Sequence, residues 1–255
     1  MEIEEYLSLV WRPGPDAMFA HPRLARVYDA FDGERDDLAA YVALAGEMAA
    51  RVVLDVGCGT GSLAVLLAAT GRTVVGVDPA AASLDVARAK DPAGRVRWVH
   101  GDVGAVPDLG ADLATMTGNV AQVFLGDDDW ARALRAVHRA LRPNGRLVFE
   151  TRRPDRRAWE EWAADGGPVT RHVPGSGDVE RSLEVRDVRL PFVSFRHTYR
   201  FLADGAVVTS DSTLRFRSRD EIESSLATAG YRVLDVRDAP DRPGREFVFV
   251  AERAT

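Results

Sequence analysis

The chain has 255 residues, 46% of them apolar and 28% charged, with a formal net charge of −6. The composition is globular, no apolar run approaches the roughly 18 residues of a membrane span, and Arg is interleaved with Asp and Glu, so no basic stripe marks a nucleic-acid partner. A single cysteine, Cys58, excludes a disulfide framework and a thiolate metal site, and the acidic first stretch, MEIEEYLSLVW, lacks the basic region of a secretory signal, so a cytosolic protein is expected.

Residues 1–50 read as a polar-rich helical region, with Leu38, Tyr41, Val42 and Ala45 at helical spacing and a turn at Asp32-Gly33. A continuously apolar strand, Val52 to Val56, carries one acid, Asp55. Such a strand suits a parallel sheet covered on both faces. A glycine loop follows, then a helix to about Ala69 with Gly71 as its stop. Next come a strand at 73–78, a helix after Pro79, a strand at 95–102 and a weaker strand at 111–119. The helix that starts with Asp127, Asp128 and Asp129 places acids at its N-terminus. Its apolar stripe is Trp130, Leu134, Val137 and Leu141, and the PNG at 143–145 stops it before a fifth strand, GRLVFET. This alternation predicts an α/β fold, a doubly wound sheet.

The pattern changes after Arg153. A short helix with Trp159 and Trp162 leads into period-two runs: SLEVRDVRL, FVSFRHTYRF and AVVTSDSTLRF. In the middle run Phe195, His197, Tyr199 and Phe201 share one face, opposite Arg196 and Arg200, as in a half-buried strand. Residues 165–216 are expected to form an antiparallel β insertion. A helix with a Ser218/Glu221 capping box and two final strands then complete the chain.

The loop after the first strand reads Gly57-Cys58-Gly59-Thr60-Gly61-Ser62. Glycines there permit positive φ and close backbone approach, and a helix N-terminus presents unpaired N–H groups. A dinucleotide fingerprint would put Gly or Ala where Ser62 stands, and no phosphate loop of the G-x-x-x-x-G-K-[ST] type exists. A carboxylate at Asp55 suits a ligand with an ammonium group, or a loop whose amides need tying down, better than a pyrophosphate.

VVLDVGCGTG, then VVGVD, HGD and GRLVFE, together resemble the class I S-adenosylmethionine-dependent methyltransferases over nearly the whole chain. TGNVAQVF and the segment from FRHTYRF to SLATAGY look like bacterial members that act on small molecules or have no assigned acceptor. The resemblance implies a Rossmann-like seven-stranded doubly wound sheet with a C-terminal antiparallel strand pair. It implies S-adenosyl-L-methionine as cofactor and a small-molecule acceptor. Gly57, Gly59 and Gly61 would pass under its methionine and ribose part, with Asp55 organising the loop or meeting the amino group. Asp78 would take the ribose hydroxyls, Asp102 the adenine amino group, and the Val103 N–H the ring. Thr117, Gly118 and Asn119 would meet the methionine moiety and the acceptor.

Residues 51–164 and 217–255 are then the cofactor-binding core, 1–50 a lid to which Tyr28 and Arg35 contribute, and 165–216 an acceptor-side cap. Catalytic candidates are Asn119, His197 and Tyr199. Phe195, His197 and Tyr199 are expected to line or support the acceptor pocket. Of the other histidines, His138 and His100 read as packing residues, and His21 and His172 fall in poorly patterned segments. Cys58 needs no reactivity, and Trp159 and Trp162 read first as packing between insertion and core. Three other readings stay open: an NAD(P)-dependent Rossmann oxidoreductase, a non-catalytic S-adenosylmethionine-binding protein, and a nucleic-acid or protein methyltransferase. The last lacks the N-P-P-[YF] loop of adenine methylation, having TGNV instead.

Overall fold

A computed structural model describes residues 14–33, 35 and 37–254. The first thirteen residues of the expected lid region, with Glu34, Asp36 and Thr255, lie outside the described residues. In chain order the elements are α1 (Ala17–Ala20), α2 (Pro22–Asp32), α3 (Asp37–Glu47), β1 (Val52–Val56), α4 (Ser62–Ala69), β2 (Thr73–Asp78) and α5 (Ala81–Lys90). Then come β3 (Val96–His100), β4 (Ala111–Met116), α6 (Asp127–Ala140), β5 (Leu141–Arg152) and α7 (Ala158–Asp165). β6 (Val169–Val173), β7 (Gly177–Arg189), β8 (Phe192–Phe201) and β9 (Val207–Arg215) precede α8 (Arg219–Thr228), β10 (Tyr231–Asp238) and β11 (Glu246–Arg253).

Among the described residues the strands form two sheets. The larger has seven strands in the order β10-β11-β5-β4-β1-β2-β3. β1 pairs in parallel with β2 on one side and β4 on the other, and β11 runs antiparallel between β5 and β10. From β1 the chain first winds outward through β2 and β3, then returns to the other side at β4. The winding reverses between β1 and β4, and open sheets of this kind bind ligands in the crevice opened there. The glycine loop leaves β1 and the Thr117–Asn119 turn leaves β4, so both reach that crevice.

Burial on both faces explains the apolar strands. One face packs Leu54, Met116, Leu147 and Phe149 under Trp130, Leu134 and Val137 of α6 and Ile222 and Leu226 of α8. The other packs Val53, Val74, Leu113 and Val148 under Leu38 and Tyr41 of α3 and Leu63 and Leu67 of α4. Each fully buried Leu or Phe stabilises the fold by about 1.5–3 kcal/mol. The α6 stripe is buried as expected, except that the helix ends at Ala140 and Leu141 is already extended, with φ −78° and ψ 147°. Pro143 disfavours helical backbone at Arg142, one residue beyond this stop. β4 ends at Met116, short of the expected 119, because Gly118 and Asn119 take positive φ. The α8 capping box forms: Ser218 Oγ accepts from Glu221 N–H at 3.2 Å, and the Glu221 carboxylate accepts from Ser218 N–H at 2.7 Å.

The second sheet has four antiparallel strands in the order β6-β7-β8-β9. β6 adds a strand at 169–173 that the sequence pattern does not predict; four of its five residues are exposed, so it carries no apolar alternation. In β8, Phe195, His197, Tyr199 and Phe201 are buried and Arg200 on the other face is exposed. The two tryptophans pack α7 on this sheet, Trp162 on Phe195 at 5.3 Å and Trp159 on Phe216 at 5.0 Å between ring centroids.

The N-terminal helices bridge the two sheets. On the insertion side, Met18 N–H donates to Ser210 Oγ at 2.9 Å and Arg23 pairs with Asp204 at 2.9 Å. On the core side, Ser83 Oγ donates to the Phe19 carbonyl at 3.0 Å, and Asp29 accepts from Thr60 Oγ1 at 2.6 Å while pairing with Lys90.

Candidate functional site

A cavity of about 730 Å³ lies at the C-terminal ends of β1, β2 and β4. Gly57, Gly59 and Gly61 all have positive φ, but their surroundings differ. A Cβ on Gly59 would meet nothing within 4 Å, because the backbone there borders the open cavity. A Cβ on Gly61 would come within 2.5 Å of Trp98 and 2.8 Å of Ala87. Gly61 is therefore a packing glycine beneath the loop and is not part of the cavity wall, unlike Gly57 and Gly59.

Six aspartates line the cavity, among them the three that the sequence singles out: Asp55, Asp78 and Asp102. Asp55 is 1% exposed, and its Oδ1 accepts from Thr115 Oγ1 at 2.8 Å. Burial pushes its carboxyl from the ordinary 3.8 up to about 7; the Thr115 hydroxyl pulls it down and neighbouring Asp78 raises it further. Asp78 is also raised by burial, and is drawn back by two backbone donors, Ala80 N–H on Oδ1 and Gly59 N–H on Oδ2, each at 2.8 Å. Asp102 is exposed and caps the short turn Val103–Ala105, its Oδ1 accepting from Gly104 N–H at 2.8 Å. Buried Val103 follows it on the wall.

The remaining wall includes the N-terminal region, the β4 exit, α6 and the second sheet: Phe19, Tyr28, Arg35, Thr117, Gly118, Arg132, Ser212 and Thr213 take part. Tyr28 packs on Phe19 at 5.3 Å between centroids, and burial raises its hydroxyl above the ordinary phenol range. Arg35 is held by Asp32 at 2.6 Å and Asp37 at 2.8 Å, so its charge is compensated within the chain. Sequence reasoning does not single out Phe19, Ser212 or Thr213. Nothing in STLRF marks a pocket residue, because the cavity contact depends on how the second sheet docks.

The three catalytic candidates stand off the cavity wall. Asn119, at φ 63°, turns its amide into the protein, and Nδ2 donates to Glu246 Oε1 at 3.2 Å. His197 is 7% exposed, and its Nδ1 has no partner among the described residues. Burial, with the nearby Arg181 cation, pushes its ring down to about 4, so it is neutral at pH 7. Tyr199 is 1% exposed and packs edge-on against Phe31 at 5.9 Å. His197 and Tyr199 are buried between β8 and its neighbours, as packing predicts for the aromatic face of a half-buried strand.

A buried polar cluster behind the β4 exit centres on Glu150, the last residue of GRLVFE, to which the sequence analysis assigns no role. Glu150 Oε1 accepts from Gly118 N–H at 2.7 Å, and its Oε2 accepts from the Tyr41 hydroxyl. Burial raises the Glu150 carboxyl, the Tyr41 hydroxyl lowers it, and Glu246 raises it again. Glu246 also accepts from Arg242 at 3.0 Å.

Residues 53–145 match the protein family described as Methyltransferase domain. An uncharacterized methyltransferase of Mycobacterium bovis is 40% identical over 134 residues, which is 49% of this chain and 52% of that protein. A malonyl-[acyl-carrier protein] O-methyltransferase of Pseudescherichia vulneris is 30% identical over 146 residues, 57% of this chain and 56% of that protein. The chain spans about half the length of the curated relatives it matches. Among solved structures, an amino pentose methyltransferase of Micromonospora echinaspora with S-adenosylmethionine bound is 28% identical, with a TM-score of 0.67 over 89% of this chain and 97% of that one. An S-adenosylmethionine-dependent methyltransferase of Clostridium acetobutylicum shares the fold, with a TM-score of 0.71 over 91% of this chain and 98% of that one at 17% identity.

Proposed function

Because the chain belongs to the class I S-adenosylmethionine-dependent methyltransferases, we propose that it methylates a small-molecule acceptor in the cytosol, without a nucleic-acid partner. Residues 51–164 and 217–255 act as the cofactor-binding core, 1–50 as a lid and 165–216 as an acceptor-side cap. One observation carries the proposal: an acid with its carboxyl pushed to about 7, a glycine backbone bordering open space, Asp78 and Asp102 line one cavity.

The residues present fit the cofactor. A buried carboxylate such as Asp55 gains most from a cationic partner, and an amino-acid ammonium supplies one. Asp78 uses one lone pair of each oxygen on backbone N–H groups, which leaves acceptor capacity for vicinal ribose hydroxyls. Asp102 keeps one oxygen for the adenine amino group, beside the Val103 N–H. Gly59 lets the backbone approach where any side chain would intrude.

When bound, S-adenosylmethionine supplies a methyl group on a positively charged sulfur. The chain contributes alignment and exclusion of water: Phe19 and Tyr28 cover the cavity from the N-terminal helices, and Ser212 and Thr213 bound it from the second sheet. Alignment of this kind supplies roughly 7–11 kcal/mol. No histidine lines the cavity among the described residues, but Asp16, Asp129 and Asp211 do, so a carboxylate is the side chain available there to take a proton from an acceptor. The relatives named as an amino pentose methyltransferase and a malonyl-[acyl-carrier protein] O-methyltransferase differ in acceptor, so a mixed panel is the test. Incubation of S-adenosylmethionine with small amines, alcohols and carboxylic acids should release S-adenosylhomocysteine with at least one of them. Calorimetric binding of NAD(H) in place of S-adenosylhomocysteine would contradict the proposal.

A further inference from the structure

The Thr117–Gly118 peptide lies between the cavity, which both residues line, and a buried carboxylate that does not reach it. Gly118 N–H donates to Glu150 Oε1 at 2.7 Å. The peptide is trans, since the one cis bond of the described residues is Leu190–Pro191. In a trans peptide the N–H and the preceding C=O point in opposite directions. With its N–H pinned inward, this peptide turns the Thr117 carbonyl toward the cavity. The turn over Gly118 and Asn119 starts at Thr117, whose carbonyl oxygen has two lone pairs and so keeps one for a ligand. β1 and β4 are adjacent, with Asp55 opposite Thr115. The carbonyl and the Asp55 carboxylate thus leave neighbouring strands into the same crevice, two acceptors for one cation.

Glu150 is itself held. Its other oxygen accepts from Tyr41, which α3 carries into the core on a separate part of the chain. Gly118 and Asn119 both have positive φ, at 71° and 63°. Two successive residues in that region, one of them not glycine, cost energy unless their surroundings fix them.

We infer that Glu150, braced by Tyr41, is a positioning residue: it fixes the Thr117–Gly118 peptide so that the Thr117 carbonyl, together with Asp55, takes the ammonium of the cofactor's amino-acid part. This rests on the proposed cofactor and adds a residue that never touches it. Glu150 therefore governs binding of the amino-acid part and leaves the adenosine part alone.

Two ligands separate these parts. S-adenosylhomocysteine has both, whereas 5′-methylthioadenosine keeps the adenosine and thioether and lacks the amino acid. In calorimetric titrations at pH 8, Glu150→Ala should weaken S-adenosylhomocysteine about tenfold, the value of one well-placed hydrogen bond. It should change 5′-methylthioadenosine less than about twofold, within ordinary scatter for a remote site. Glu150→Gln, which still offers Gly118 an acceptor, should restore S-adenosylhomocysteine to within about threefold of the parent. Tyr41→Phe keeps the ring packing and carries the same test if the alanine variant does not fold. Equal weakening of both ligands would reduce Glu150 to a structural residue and overturn the inference, as would unchanged binding of both. A parent chain that binds neither ligand defeats the cofactor proposal itself, whereas with a parent that binds both, the variants report on Glu150 alone.

Discussion

Asp55→Asn should move stability and affinity in opposite directions. The side chain is 1% exposed, accepts one hydroxyl hydrogen bond and has its carboxyl raised from 3.8 to about 7. The sign follows from which state binds the proton. The folded ligand-free chain holds the proton up to about pH 7 and the unfolded chain releases it near 3.8, so stability falls as pH rises between those values and is flat above. Each unit is worth 1.36 kcal/mol. From pH 5 to pH 8 the parent should therefore lose about 3 kcal/mol relative to the Asn variant, which does not titrate. Without ligand, the variant should melt roughly 6–12 °C higher relative to the parent at pH 8 than it does at pH 5. At pH 8 the ligand ammonium meets a carboxylate in the parent and a neutral amide in the variant. That change should weaken S-adenosylhomocysteine by about 2 kcal/mol, near thirtyfold. In the parent, affinity should itself decline as pH falls through about 7. Thermal unfolding at the two pH values and calorimetry at pH 8 check both halves. An Asn variant that loses stability at pH 8 and keeps full affinity would refute the assignment of Asp55 to a ligand cation.

The glycine loop gives a paired prediction. Gly59→Ala should fold with a loss near 1 kcal/mol for the left-handed backbone and bind S-adenosylhomocysteine at least about tenfold more weakly, since its methyl enters the cavity. Gly61→Ala should instead cost about 1–3 kcal/mol or more of stability, read by urea unfolding, because the added carbon meets Trp98 and Ala87. His197→Phe should leave S-adenosylhomocysteine affinity within about twofold and hold or raise the melting temperature, because it removes a buried nitrogen without a partner. A large loss of cofactor affinity in that variant would place the histidine nearer the cavity than its packing indicates.

The parallel half of the molecule is readable because its signals are local. Val52–Val56 and Thr73–Asp78 are short apolar runs, Gly57–Gly61 joins one of them to a helix, and a carboxylate sits at or near each strand end. The capping box at Ser218 and the period of FVSFRHTYRF are equally local. The losses come where contact depends on docking between distant segments. The aromatic face of β8 marks His197 and Tyr199 for the acceptor, yet the same pattern describes a strand face that packs on α2 and α7, and periodicity does not distinguish the two. Ser212 and Thr213 reach the cavity from β9 without any motif. β6 escapes notice because an exposed edge strand carries no apolar alternation. Glu150 stands inside a recognisable strand, GRLVFE, but its partners Tyr41 and Gly118 lie 109 and 32 residues away in sequence.

Cocrystallisation with S-adenosylhomocysteine at pH 8 tests the central claim most directly. It should place the adenine beside Asp102 and Val103, the ribose hydroxyls on Asp78 and the amino group between Asp55 and the Thr117 carbonyl. Ligand density elsewhere on the molecule, or a pose in this cavity with the amino group turned away from Asp55, would contradict it.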